Sequence, residues 1–183
     1  MGPAAAFLIR LSAGLNRVAL YGAAAAVLVM LFAAGYQVIA RYIFAAPPIW
    51  TEELARRAMV WAGMLGATVA FYQRTDPNLF PQMLDVTGRI GKALTLIRSA
   101  GVAIFAFPIL YYSLFGPNMN LARGFIGRSL DRKGEMLAIS MAWFTSAVPI
   151  AFLIIAVHVA AQIAAAFARE ARPAEPARED IPV

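Results

Sequence analysis

The chain has 183 residues, of which 61% are apolar and 14% are charged, and its formal net charge is +6. A soluble domain has closer to half apolar and about a quarter charged residues, so this composition favours an integral membrane protein. The absence of cysteine excludes disulfides, thiolate nucleophiles and cysteine-based metal sites. The basic residues flank the apolar runs, which favours contact with lipid headgroups over nucleic acid.

Four uncharged runs predict four transmembrane helices, since about 20 consecutive apolar residues cross the roughly 30 Å of hydrocarbon. We expect an all-α membrane protein with one domain over residues 1–168 and membrane helices at about 18–40, 54–73, 93–115 and 136–166. The first run is too long and begins too late for a cleaved signal peptide. Residues 169–183 are rich in proline, glutamate, arginine and alanine, which predicts a disordered cytoplasmic tail.

The first helix is preceded by a short amphipathic segment and followed by a sharp corner. Residues 1–17 place four apolar side chains on one side, which are Phe7, Leu8, Leu11 and Leu15. We expect this segment to lie in the membrane interface and to continue into the first helix. Pro47 and Pro48 then end the helix, because proline lacks a backbone N–H and restricts the residue before it. An interfacial corner between the first two helices follows from these two prolines.

The second helix begins with a dense group of charges bracketed by Trp50 and Trp61. We expect Thr51 to cap this helix. Two acid–base pairs are spaced four residues apart and can meet on the helix surface, Glu52 with Arg56 and Glu53 with Arg57. Adjacent side chains on a helix diverge by about 100°, so the two glutamates do not form a catalytic dyad. A structural or interface role is favoured, and an ion-coupling or proton-relay role is the alternative.

The middle of the second helix carries a stripe of small residues, Gly63, Gly66, Ala67 and Ala70. Such stripes allow another membrane helix to approach closely. The pattern leaves open whether that helix belongs to this chain or to another.

The two later connections are polar. Residues 74–92 contain the pair Asp85 and Arg89, and residues 81–92 are expected to form a short surface helix. The loop at 116–135 is basic through Arg123, Arg128, Arg132 and Lys133. Arg98 is expected to extend its charged group to the interface.

Residues that carry chemistry are scarce in the membrane runs. His158 is the only histidine, so two histidines cannot hold a haem iron, and we expect it to face headgroups or another helix. No helix centre carries a carboxylate, whereas a self-sufficient transporter places ionisable groups or broken helices near the midplane. These features predict an accessory membrane subunit with no catalytic, cofactor or metal site.

The basic residues give only a small orientation signal. With the N-terminus inside, nine basic residues lie on the inner side and seven on the outer side. The positive-inside rule therefore predicts cytoplasmic N- and C-termini.

Residues 41–67 resemble a known family. The stretch Arg41-Tyr42-Ile43-Phe44, the stretch from Pro48 to Arg56, then Trp61 and Gly66-Ala67 are similar to the small, DctQ-like permease subunit of tripartite ATP-independent periplasmic (TRAP) transporters. Residues 141–152 also resemble the last helix of that family. The chain departs from the family pattern at residues 75–78, where Thr-Asp-Pro-Asn replaces a histidine followed by Val-Asp, and in its longer basic loop.

The resemblance implies a sodium-driven system in the inner membrane that imports an organic acid. Its partners would be a large permease subunit, a periplasmic binding protein and membrane lipid, and this chain would be a scaffold without enzyme activity. The implied structural or interface residues are Trp50, Glu52, Glu53, Arg56, Arg57, Trp61, Gly63, Gly66 and Ala67. The basic residues Arg123, Arg128, Arg132 and Lys133 are the expected contacts of the binding protein. The alternatives are a scaffold of an unrelated membrane complex and a small autonomous channel or exporter.

Overall fold

The computed structural model describes residues 2–75, 86 and 88–169, and its regular structure is helical. Four long helices are present, which are α1 (Pro3–Tyr42), α2 (Trp50–Gln73), α3 (Gly88–Leu114) and α6 (Ala147–Arg169). Between α3 and α6 lie two 3₁₀ turns (Pro117–Met119 and Leu121–Arg123) and the short helices α4 (Phe125–Leu130) and α5 (Ala142–Thr145). The predicted all-α class is confirmed.

The four long helices alternate in direction. Tyr36, late in α1, stacks on Trp50 at the start of α2 with ring centroids 6.0 Å apart, so these helices run antiparallel. Phe105 of α3 meets Phe152 of α6 at 6.0 Å. Tyr72, at the end of α2, lies 5.1 Å from the ring of His158, late in α6. We call the end with the first turns of α1 the terminal end, and the end with residues 43–49 and 115–141 the corner end.

Three stretches are long and apolar enough to cross a membrane, namely Pro3–Tyr42, Gly88–Leu114 and Ala142–Ala168. The last stretch joins α5 to α6. Few residues in the most apolar part of each stretch are buried within the described chain, and many of the large apolar side chains are exposed. Helix α2 is long enough at 24 residues, but the four charges in its first two turns lower its hydropathy. Its crossing of the membrane stays a prediction.

The core is built from small side chains that bring the helices close together. Ala19 of α1 packs with Leu65 and Val69 of α2 and with Ile154 of α6. A Cβ on Gly22 would lie 2.8 Å from Leu65 Cδ1, so α1 and α2 are in close contact there. Small residues at helix contacts are typical of membrane proteins, in which association depends on close packing.

Two helix starts differ from the sequence-based predictions. Thr51 does not cap α2, because the helix already begins at Trp50 and the Thr51 hydroxyl donates to the Pro48 carbonyl at 2.7 Å. The last helical stretch begins at Ala142 rather than near residue 136. It breaks once more at Ser146, three residues before Pro149, whose missing N–H leaves the Thr145 carbonyl without its usual helical donor.

Helix α1 is continuous from Pro3, so residues 3–17 extend the first helix as expected. Helix α3 begins at Gly88, earlier than predicted. The predicted Asp85–Arg89 pair, most of the predicted surface helix at 81–92 and almost all of the predicted tail at 169–183 lie outside the described residues.

Candidate functional site

The corner end is organised around the carboxylate of Glu53 in the first turn of α2. Its side chain is buried, with 5% of its surface exposed. Oε2 accepts hydrogen bonds from the backbone N–H groups of Met136 at 2.7 Å and Leu137 at 2.9 Å. Oε1 accepts one from the Arg57 guanidinium at 3.0 Å. One carboxylate therefore ties α2 to a segment more than 80 residues later in the chain.

The segment that meets Glu53 is a tight fold closed by its own backbone. The N–H of Gly134 donates to the Ile139 carbonyl at 3.0 Å, and the N–H of Met141 donates to the Arg132 carbonyl at 2.7 Å. A Cβ on Gly134 would lie 2.5 Å from Glu53 Oε1, so only glycine leaves room for the carboxylate. We call Glu53, Arg57 and residues 134–137 the clasp.

Arg57 extends the clasp to the start of the last helical stretch. Its guanidinium lies 5.0 Å from the centroid of the Phe144 ring in α5, a distance at which a cation is attracted to an aromatic face. The same side chain thus binds the Glu53 carboxylate and packs on α5. Helix α2, the folded segment and α5 are held together by these two charged residues.

The surroundings of Glu53 stabilise its ionised form. Hydrogen bonds from the backbone N–H groups of Leu137 and Met136, together with the Arg57 guanidinium, lower the pKa of Glu53 from 4.5 to about 2, while burial acts in the opposite direction. The carboxylate is therefore ionised throughout the physiological pH range. A group that holds no proton near neutral pH is poorly suited to a proton relay, which favours the structural role for Glu53.

Glu52 differs from its neighbour. It pairs with Arg56 at 3.6 Å as the spacing predicts, but the two side chains are 62% and 68% exposed. An exposed pair of this kind contributes little to stability. The two glutamates diverge, as expected from helix geometry.

A cavity of about 740 Å³ lies beside the clasp, between the first turns of α2 and residues 132–141. Arg132, Lys133 and Glu135 line it from the folded segment, and Glu52 and Arg56 line it from α2. Met59 and Val60 continue the wall one turn further along α2. The lining of the cavity thus combines charged and apolar side chains.

The stripe of small residues on α2 faces away from the rest of the described chain. Gly63 and Ala67 are exposed, and Gly66 and Ala70 are half-buried. A Cβ built on Gly63 or Gly66 would have no heavy atom within 4 Å. The close approach that the stripe predicts is therefore not made by the other described helices of this chain.

The two tryptophans that bracket the charges take different positions. Trp50 stacks on Tyr36 and is 37% exposed. Trp61 faces inward beside Trp143, with ring centroids 6.5 Å apart, so it belongs to the interior contacts and not to the exposed stripe.

The four basic residues of the loop are all exposed at the corner end, but only two of them line the cavity. Arg132 and Lys133 line the cavity, whereas Arg123 and Arg128 do not. The loop is compact because Gly124 and Gly127 leave room for the backbone carbonyls of Leu114 and Leu121, with which a Cβ on either glycine would clash.

Sequence reasoning missed a polar contact at the terminal end. His158 is completely buried, and its Nδ1 lies 2.7 Å from the Ser12 hydroxyl of α1. It therefore faces another helix and not the headgroups. Asn16 is buried one turn from Ser12, and the spacing of these two polar residues in an apolar run is the sequence signal for this contact. Among the described residues, no group of three His, Asp or Glu side chains is placed to hold a metal ion.

The sequence of the chain also matches a family model. The model described as "Tripartite ATP-independent periplasmic transporters, DctQ component" matches residues 30–169. The matched region includes α2, the clasp, the cavity and α6. No curated protein matched the chain.

Proposed function

This chain belongs to the DctQ component family of TRAP transporters, and we propose that it is the scaffold of the large permease subunit. In this role it supports sodium-driven uptake of an organic acid that a periplasmic binding protein delivers. We propose that α1, α2, α3 and α5–α6 all cross the inner membrane as one domain over residues 1–168. The scaffold itself would carry no substrate or ion site.

The alternating directions of the four long helices support this topology. With four crossings, both termini of the bundle lie on one side of the membrane. The balance of nine basic residues against seven favours the cytoplasm for the terminal end. The corner end, with the clasp and the basic loop, then faces the periplasm.

The observation that carries the scaffold proposal is the exposed small-residue stripe of α2. Lipid tails are as apolar as leucine, so membrane helices associate through close packing and not through the hydrophobic effect alone. Gly63, Gly66 and Ala67 offer a surface on which a foreign helix can approach the α2 backbone. We propose that a helix of the large permease subunit occupies it.

Leucine at Gly63 and Gly66 tests this docking face. The added side chains point into open space in this chain, so the subunit should fold, but a partner helix should be displaced. We expect recovery of the large subunit with tagged small subunit to fall by roughly tenfold or more, as for loss of about 1.4 kcal/mol.

Gly35→Leu and Gly101→Leu are matched controls, since both glycines are exposed and also have open space around them. Unchanged recovery of the large subunit from the α2 variants would exclude the stripe as the docking face. So would an equal loss in the controls.

The basic loop supports a second contact within the same function. Arg123 and Arg128 are exposed at the corner end and do not line the cavity, so we propose that they meet an acidic surface of the binding protein. Glutamate at both positions should weaken capture of the binding protein by the assembled transporter and lower its dependence on salt. Capture that is unaffected by the double reversal, measured at low ionic strength, would rule this contact out.

A further inference from the structure

The cavity at the corner end is lined by charged side chains, and only some of them belong to the clasp. Three carboxylates and four cationic side chains line it. Glu53 and Arg57 are committed to each other and to the clasp. The remaining five charged groups are Glu52, Glu135, Arg56, Arg132 and Lys133.

These five charged groups make few and weak ion pairs within the described residues. Within the described residues, no ion pair engages Arg132, Lys133 or Glu135, and all three are exposed. Glu52 and Arg56 are 3.6 Å apart and mostly in solvent, where such a pair is worth little. The cavity therefore presents anionic and cationic groups close together, which suits a ligand that carries both signs of charge.

The position of the cavity indicates that a ligand bound there also has an apolar part. Between Glu52 and Val60 the cavity follows about 12 Å of the α2 axis at 1.5 Å per residue. The polar layer of a bilayer is about 5–8 Å thick on each face, so in the proposed topology the cavity would reach from headgroup depth into hydrocarbon. Met59 is 57% exposed and Val60 is 40% exposed along this path. A fitting ligand has a charged head and an apolar continuation.

We propose that the cavity binds the headgroup of a zwitterionic phospholipid with a primary ammonium, of the phosphatidylethanolamine type. Arg132 and Lys133 donate to the phosphate oxygens, and the ammonium group donates to Glu135 and Glu52. The acyl chains continue along Met59 and Val60. This inference rests on the proposed crossing of the membrane by α2 and not on the role of the chain in a transporter.

The charge pattern distinguishes this lipid from the other common headgroups. Phosphatidylglycerol supplies a phosphate and two neutral hydroxyls, but it has no cation to pair with Glu52 and Glu135. Phosphatidylcholine carries a quaternary ammonium, which has no N–H to donate to the carboxylates. Of the three lipids, only phosphatidylethanolamine carries both an anionic hydrogen-bond acceptor and a cationic hydrogen-bond donor.

Native mass spectrometry of the full-length chain, exchanged into detergent with equal amounts of the three lipids, tests the proposal. We expect one retained phosphatidylethanolamine per chain. Arg132→Gln with Lys133→Gln should lower its retention roughly fivefold or more through loss of charge-assisted hydrogen bonds. Glu135→Gln should shift the preference toward phosphatidylglycerol. Arg123→Gln with Arg128→Gln removes the same charge from the same loop outside the cavity and should leave retention unchanged.

Three results would overturn the proposal. One is equal retention of phosphatidylglycerol and phosphatidylethanolamine by the wild-type chain. Another is an equal loss of lipid in the control variant, which would indicate attraction by net charge alone. The third comes from a photoreactive residue in place of Met136 in the assembled transporter, if it crosslinks only to protein and never to lipid. That result would assign the cavity to a partner subunit.

Discussion

A buried polar side chain joins separate parts of the chain at each end of the bundle, but the two joints are built differently. At the corner end, Glu53 is charged, and three donors occupy its carboxylate. At the terminal end, His158 makes one side-chain hydrogen bond, with Ser12, and its Nε2 is buried without a hydrogen-bond partner among the described residues. A buried charge is tolerated when its hydrogen bonds are complete. A neutral imidazole costs less to bury than a charge, so it can be buried with only one hydrogen bond.

The difference also separates two kinds of contact. The clasp holds a non-helical segment, whose backbone N–H groups have no helical carbonyls to bind and need an acceptor. The His158 contact joins helices whose backbone groups are already paired within each helix. Loss of the clasp therefore exposes more unpaired groups than loss of the terminal contact.

The largest effect is expected from Glu53. Glu53→Ala removes the acceptor of two backbone N–H groups and leaves the Arg57 charge without its partner, so residues 134–137 should detach from α2. We expect a drop of roughly 5 °C or more in the apparent Tm of the detergent-purified chain, and a lower yield of assembled complex. Glu52→Ala is the matched control and should change the Tm by about 1 °C or less, because its pair is exposed. Equal behaviour of the two alanine variants would contradict the clasp.

Gly134→Ala tests the same contact through the segment that meets Glu53, and it removes no charge. The new Cβ would lie 2.5 Å from Glu53 Oε1 and 2.6 Å from the Leu137 carbonyl. The strain should therefore move the apparent Tm in the same direction as Glu53→Ala, by a smaller amount. Gly101→Ala places a methyl group in open space and is the control for the substitution itself.

The pH dependence of stability tests whether Glu53 is ionised in the folded chain. Its pKa is lowered from 4.5 to about 2 in the folded chain, so its contribution to stability is present above pH 4.5 and is lost as the pH falls toward 2. The Tm difference between wild type and Glu53→Gln should be constant from pH 5 to 8 and should shrink below pH 4.5. A difference that already shrinks between pH 7 and 5 would indicate an ordinary or raised pKa.

The sequence pattern predicts the long helices better than it predicts the polar contacts that join them. The order of the long helices, the corner at Pro47–Pro48 and both four-residue pairs follow from local spacing, which a single sequence displays. The partners of Glu53 lie 83 and 84 residues away, and no local pattern connects them. Residues 136–141 are uncharged and mostly apolar and resemble a helix start, but the N–H groups of Met136 and Leu137 are bound to Glu53 instead.

The exposed stripe on α2 shows a related limit. Its spacing predicts a close helix contact, but the same spacing serves a contact within the chain or outside it. Only the positions of the other helices, which leave Gly63 and Gly66 in open space, favour an external partner. The cavity is likewise formed by two segments that are distant in the sequence, so its mixture of charges could not be anticipated from either segment.

The smallest effect is expected at the terminal end. Ser12→Ala removes one contact between α1 and α6 and should destabilise the chain by about 0.5–1.5 kcal/mol, as for a single hydrogen bond between membrane helices. Ser146→Ala is the control, because the Ser146 hydroxyl bonds only locally to the Trp143 carbonyl at 3.0 Å. In a double-mutant cycle with His158→Phe, the two terminal changes should be non-additive, since each removes the same bond. Additive losses would show that Ser12 and His158 do not stabilise each other, and the contact between α1 and α6 at this end would then depend on packing.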